Sequence, residues 1–100
     1  MINIFDYGVV SSTKKMKESG LSVGDTVLVI ANKVLPVTKS DPYLQRVYVV
    51  CILVKEGVHQ MPSEDTDYVS FLIDPRNLTK VDEDATKDLR DKLEHQYNGV

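Results

Sequence analysis

The sequence predicts a mainly β domain followed by a C-terminal α-helix, and three stretches carry that prediction. TVLVIA, residues 26 to 31, is dense in β-branched side chains, which suit a pleated, half-buried surface. VYVVCILV, residues 47 to 54, is apolar at both alternating sets of positions, as a strand covered on both faces requires. In the tail, Ala85, Leu89, Leu93 and Tyr97 recur every four residues, one narrow stripe along a helix.

Taken in order, MINIFDYGVV has apolar residues at Ile2, Ile4, Phe5, Tyr7, Val9 and Val10 and predicts a short strand or an extended arm that lies on something. SSTKKMKESG follows. Ser11 or Ser12 can cap a short helix and Gly20 can end it, with Met16 its one clear apolar residue. Such a helix has no packing to hold it, so a solvated connector competes with a docking segment using Lys14, Lys15 and Lys17. Gly24-Asp25 is a turn signal ahead of the strand at 26 to 31. Apolar character continues through Val34, Leu35 and Val37, with Pro36 confining that piece to an edge or a bend.

SDPYLQR, residues 40 to 46, separates the two apolar runs. Asp41 and Pro42 reverse the chain and Arg46 opens the long strand that runs to Lys55. KEGVHQMPSEDTD reads as a polar loop, and DYVSFLID as a strand ending at Asp74-Pro75. PRNL is a short turn, of a single 3-10 turn's length, leading into LTKV as a last short strand. Asp82 or Asp84 caps the tail helix, acids fill its first turn where the helix dipole favours them, and Asn98-Gly99 ends it. Glu83 with Lys87 and Asp88 with Lys92 are favourable pairs four apart. The chain divides into an arm and short polar helix at 1–21, a β unit at 22–81 and an acidic amphipathic helix at 82–100.

One hundred residues suit one domain with a modest core. No apolar run approaches the ~18 residues of a membrane span, and the N-terminus lacks the longer apolar region of a signal peptide. Cys51, the single cysteine, cannot form an internal disulfide, so the expected compartment is the cytoplasm. Its apolar surroundings favour inert core filler over a reactive thiol or metal ligand. The net charge of −3 resides in the tail: residues 1 to 80 hold nine cations and nine acids, residues 81 to 100 three and six. An isoelectric point near 5.2 counts against a general nucleic-acid binder.

Catalytic patterns are missing. The five glycines are isolated, so no phosphate loop forms, and two histidines with one cysteine give no zinc spacing. Cys51 and His59 would be the sole nucleophile–base pair, and a strand continuing to Lys55 sets them apart. Glu64, Asp65 and Asp67 read as a solvated loop rather than a cation site. The expectation is a non-enzymatic protein with no cofactor and no metal.

The order of elements from Ser22 to Val81, with SVGDTVLVI opening and FLIDPRNLTKV closing, resembles the SH3-like small β-barrels, a class that includes Tudor and KOW modules. That resemblance implies a barrel of about five strands, in which SDPYLQR ends the long first loop and walls a groove used for peptides or nucleic acid. ANKVLPV stands where a KOW module carries glycines, and Tyr43, Tyr48 and Tyr68 are few for an aromatic cage. The short, acidic, self-contained style is similar to that of bacteriophage accessory proteins, which act in the host cytoplasm.

Two surfaces follow. A protein-interaction (adaptor or accessory) module would use Tyr43, Leu44 and Arg46 with Met61 and Pro62, residue types common at interfaces; alternatively Tyr43 and Leu44 cover the barrel's open end. A nucleic-acid-binding barrel would use Lys33, Lys39, Arg46, Arg76 and Lys80 with Tyr43 and Tyr68, against Asp41, Asp67 and Asp74 nearby. A structural subunit of a larger particle or complex is the third reading. The tail helix or the N-terminal arm could also pack on another copy of the chain and make a homo-oligomer.

Overall fold

The computed structural model of the chain describes residues 2–12, 21–41, 43–60 and 70–98. Its centre is a long hairpin. β2 (Thr26–Pro36) and β3 (Gln45–Lys55) pair antiparallel from Thr26 opposite Val54 to Pro36 opposite Gln45. The register shifts once, between Val29 and Ala31, where Ile30 is the extra residue of a bulge. β1 (Tyr7–Val10) lies along the outer edge of β2, and β6 (Leu78–Lys80) along β1. The outer edge of β3 carries β5 (Phe71–Ile73) opposite Val49 to Cys51, and β4 (Val58–His59) opposite Val54 and Lys55. Helix α1 spans Glu83–Asn98.

Among the described residues the result is one antiparallel sheet of six strands and a C-terminal helix, not a closed barrel of about five strands. β5 and β6 sit on opposite edges, yet only Asp74 and the 3-10 turn Pro75–Asn77 join them. In a flat sheet four inter-strand gaps would part them by roughly 19 Å. A 3-10 turn rises only about 2 Å per residue, so the sheet must curl. It stops short of closure because β5 pairs with β3 and β6 with β1, never with each other.

The short strand expected within MINIFDYGVV forms, and a further short strand forms where a loop was expected. The N-terminal segment supplies β1, inserted between β2 and β6. Residues 55 to 60, expected as loop, form a tight hairpin instead. Glu56 and Gly57 both take positive φ, 53° and 79°, the pair of left-handed residues a two-residue hairpin of this twist needs. The polar segment bearing Lys14, Lys15 and Lys17 lies outside the described residues, as do Pro42, Met61, Pro62, Tyr68 and Gly99.

Strand alternation sends the apolar residues to two cores. Val10, Val27, Val29, Val49, Cys51 and Ile73 fill the inside of the curl, with Leu21 beside them. Tyr7, Leu28, Ile52 and Val54 lie on the opposite face, roofed by Leu89 and Leu93 of α1. This is why residues 49 to 54 can be apolar on both faces, whereas Val47, at the start of the run, is half exposed. Asp82 caps the helix, its Oδ1 accepting the Ala85 N–H at 2.8 Å, and the expected Asp88–Lys92 pair forms at 3.2 Å.

Candidate functional site

Among the described residues, the central hairpin loses its neighbouring strands just beyond the bulge at Ile30. The pairing of β1 reaches no further than Val29, which donates to the Asp6 carbonyl, and β5 begins only at Val49. Residues 31–36 and 45–48 therefore form a two-stranded arm. Val34 and Val47 stand opposite each other on one of its faces, 52% and 50% exposed. On the other face Val37 donates to the Leu44 carbonyl at 2.7 Å, and both side chains are exposed. Because Val37 bonds toward β3, ladder alternation turns the backbone groups of Asn32 and Val34 outward, along an edge that is unpaired among the described residues.

The arm's tip is the SDPYLQR stretch. Asp41 organises it: its Oδ1 accepts the Tyr43 N–H at 3.0 Å and its carbonyl accepts the Leu44 N–H at 3.3 Å. The Asp41 N–H in turn donates to Thr38 Oγ1 at 3.2 Å. These bonds make a side-chain-braced turn and leave Tyr43 93% exposed. Tyr43 and Leu44 project into solvent rather than cover an open end of the sheet.

Arg46, opposite Leu35 near the tip end of the arm, joins a cluster around Asp74. Asp74 is 8% exposed. It accepts the Arg76 backbone N–H at 3.0 Å as the cap of the 3-10 turn, and its oxygens also take Arg76 Nε at 3.2 Å and Nη2 at 2.8 Å. Arg46 Nη1 lies 3.8 Å from the same carboxylate. The hydrogen bond from the Arg76 side chain holds the Asp74 carboxyl below its ordinary range, against the opposing effect of burial.

Of the five cations named as nucleic-acid contacts, Arg46 and Arg76 are thus brought together, but by an acid between them. Lys80 lies 3.6 Å from Asp6, which also takes Arg90 at 3.9 Å, and it lines one groove with Arg76. Lys33 faces Tyr48 across the arm, while Lys39 belongs to the tip. Lys33 and Lys39 make no ion pair among the described residues. Of the interaction set, Tyr43, Leu44 and Arg46 share the arm, whereas Met61 and Pro62 lie outside the described residues.

Sequence reasoning missed a buried polar pair under the helix. The His59 Nε2 and the Tyr7 hydroxyl share a hydrogen bond, and both residues are almost wholly buried. Gln96 of α1 reaches over to accept the His59 backbone N–H at 2.9 Å and donate to its carbonyl at 2.8 Å. His59 Nδ1 is buried without a partner in this arrangement. Burial pushes the imidazole below its ordinary pKa, partly offset by Gln96. The one readable signal was Gly57, whose hairpin brings His59 opposite Val54. Cys51 occupies the other core, inside the curl, and burial drives its thiol up to about 12.

Among the described residues no group of His, Cys, Asp and Glu could hold a metal ion, and no helix is long and apolar enough to cross a membrane. No family model, curated protein or solved structure matches the chain.

Proposed function

We propose that this chain is a non-enzymatic protein-interaction module, an adaptor or accessory protein that meets its partner through the β2–β3 arm. The observation that carries the reading is the exposure of Tyr43, with Val34, Leu44 and Val47 half-exposed on the same arm, whose outer edge is unpaired among the described residues. A folded domain of this size exposes single apolar residues routinely, but a run of them on one projection marks a contact surface. The arm is rooted in a packed sheet, so the surface is positioned before binding and loses little entropy on contact. An accessory role of the bacteriophage kind, in the cytoplasm, belongs to the same proposal. So does a relation to SH3-like domains, supported by the strand order from Thr26 to Lys80 with its 3-10 turn before the last strand.

The test is capture from lysate of the cells that encode the protein, with and without nuclease, using the wild type and a Tyr43→Ala, Leu44→Ala double variant. A protein recovered by the wild type, retained after nuclease and lost with the double variant supports the reading. Recovery abolished by nuclease transfers the proposal to nucleic acid, and recovery indifferent to both substitutions removes the arm from it.

A further inference from the structure

The arm and the turn Pro75–Asn77 meet at Asp74, and the surface there differs chemically from the arm's tip. Asp74 grips Arg76 through Nε and Nη2. This fixes the guanidinium plane and leaves Nη1, with its two N–H groups, for another anion. Arg46 stands against the same carboxylate from the other side. Two guanidinium charges against one buried carboxylate leave the junction positive. Arginine held in advance by a carboxylate has already lost much of its side-chain freedom, so less remains to be lost on binding.

Beside Arg76 the surface dips into an open groove of about 330 Å³, lined by Ile2, Pro75, Arg76, Leu78 and Lys80. Its floor is aliphatic and its rim carries two cations. β6 forms one wall and its outer edge is unpaired among the described residues, because the sheet does not close. Gly8 lies under this floor: a Cβ there would come within 2.9 Å of the Ile2 side chain and 3.3 Å of Leu78. Its missing side chain is what lets Ile2 settle against the sheet.

Resting on the arm reading, we infer that the partner presents an acidic, extended peptide segment to this junction. One of its apolar side chains occupies the groove of Ile2, Pro75 and Leu78, and neighbouring carboxylates meet Arg76 and Arg46. The alternation of an apolar floor with cationic rims matches an apolar residue flanked by acids. A nucleic-acid strand fits less well: among the described residues the groove's lining has no aromatic platform for a base, and Asp74 and Asp6 already take part of the cationic charge.

The probe is the peptide acetyl-Glu-Leu-Glu-Leu-Glu-amide, titrated into the full-length ¹⁵N-labelled protein and followed by amide chemical shifts. The lysine counterpart acetyl-Lys-Leu-Lys-Leu-Lys-amide and a deca-thymidylate are the comparison ligands. The expected result is saturable shifts at Arg46, Arg76 and Leu78 with the acidic peptide alone, weakened at raised salt. Arg76→Gln and, separately, Arg46→Gln should each reduce affinity at least about threefold, within what a charged hydrogen bond contributes. Arg46→Gln leaves the cap of the turn intact and guards against a variant that merely unsettles it.

No saturable shift with the acidic peptide overturns the inference. So do shifts centred elsewhere, an equal response to the lysine peptide, a stronger response to deca-thymidylate, or indifference to both substitutions. If the peptide fails while the Tyr43→Ala, Leu44→Ala variant still loses its captured partner, the acidic chemistry falls and the arm reading stands. If that variant captures its partner normally, the arm reading itself falls.

Discussion

β2 and β3 are each two strands in one. On one side of the bulge at Ile30, Val27, Val29, Cys51 and Ile52 are at most 1% exposed; on the other, Val34 and Val47 are about half exposed. The residue types are the same, aliphatic and largely β-branched, and the ladder continues unbroken apart from the one shift. What changes is the company. β1, β5 and α1 cover the base, and nothing among the described residues covers the arm. Strand propensity specifies that a segment is extended, while burial depends on which other elements reach it. The arm is therefore one place where the chain keeps apolar side chains exposed.

The sharpest test of that contrast is a matched pair of truncations. Ile52→Ala, in the core beneath α1, should cost about 2–5 kcal/mol in urea unfolding, whereas Val47→Ala on the arm should stay within about 0.5 kcal/mol. Equal costs would mean that the arm is packed in solution.

A smaller loss should follow at the junction between the two regions. Asp74→Ala removes the cap of the 3-10 turn together with both arginine contacts, and the cap alone is typically worth roughly 1 kcal/mol. An unchanged denaturation midpoint would show that the turn is held by its proline and its neighbours instead.

Acid should separate base from arm in a further, pH-restricted way. The folded state holds His59 with a depressed pKa, so it binds fewer protons than the unfolded chain below about 6.5, the ordinary value for histidine. Stability is full above that pH and declines as pH falls from there toward the folded value. Asp74, also depressed, adds its own loss below its ordinary 3.8. Thermal melts from pH 8 to pH 5 should show the first decline in the wild type and a flatter profile in His59→Gln. Parallel profiles would place the sensitivity elsewhere. The tip should register least of all: Tyr43→Ala with Leu44→Ala is expected to leave the melting temperature within about 2 °C while abolishing partner capture.

Much of the fold was legible because its signals are local. The β-branched run at 26 to 31, the doubly apolar run at 47 to 54, the Asp-Pro that starts the 3-10 turn and the Asp82 cap each depend on residues a few positions apart. The arm's turn was legible for the same reason, since Asp41 acts on Tyr43 two residues away. The hairpin at Glu56-Gly57 was missed because glutamate seldom takes a positive φ, and with it the short strand that buries His59.

By itself, then, the sequence determined most of the extended segments, the tail helix, their order, the acidic tail and the turn at Asp41, because propensity, capping and turn bonding act over a few residues. Only the tertiary structure decided that β1 joins the sheet, that the sheet curls without closing and that Asp74 gathers Arg46 and Arg76. It alone decided as well that Val34 and Val47, beyond the bulge, stay half exposed. Those outcomes rest on pairings between segments tens of residues apart, such as Gly8 with Lys80, which no local pattern encodes.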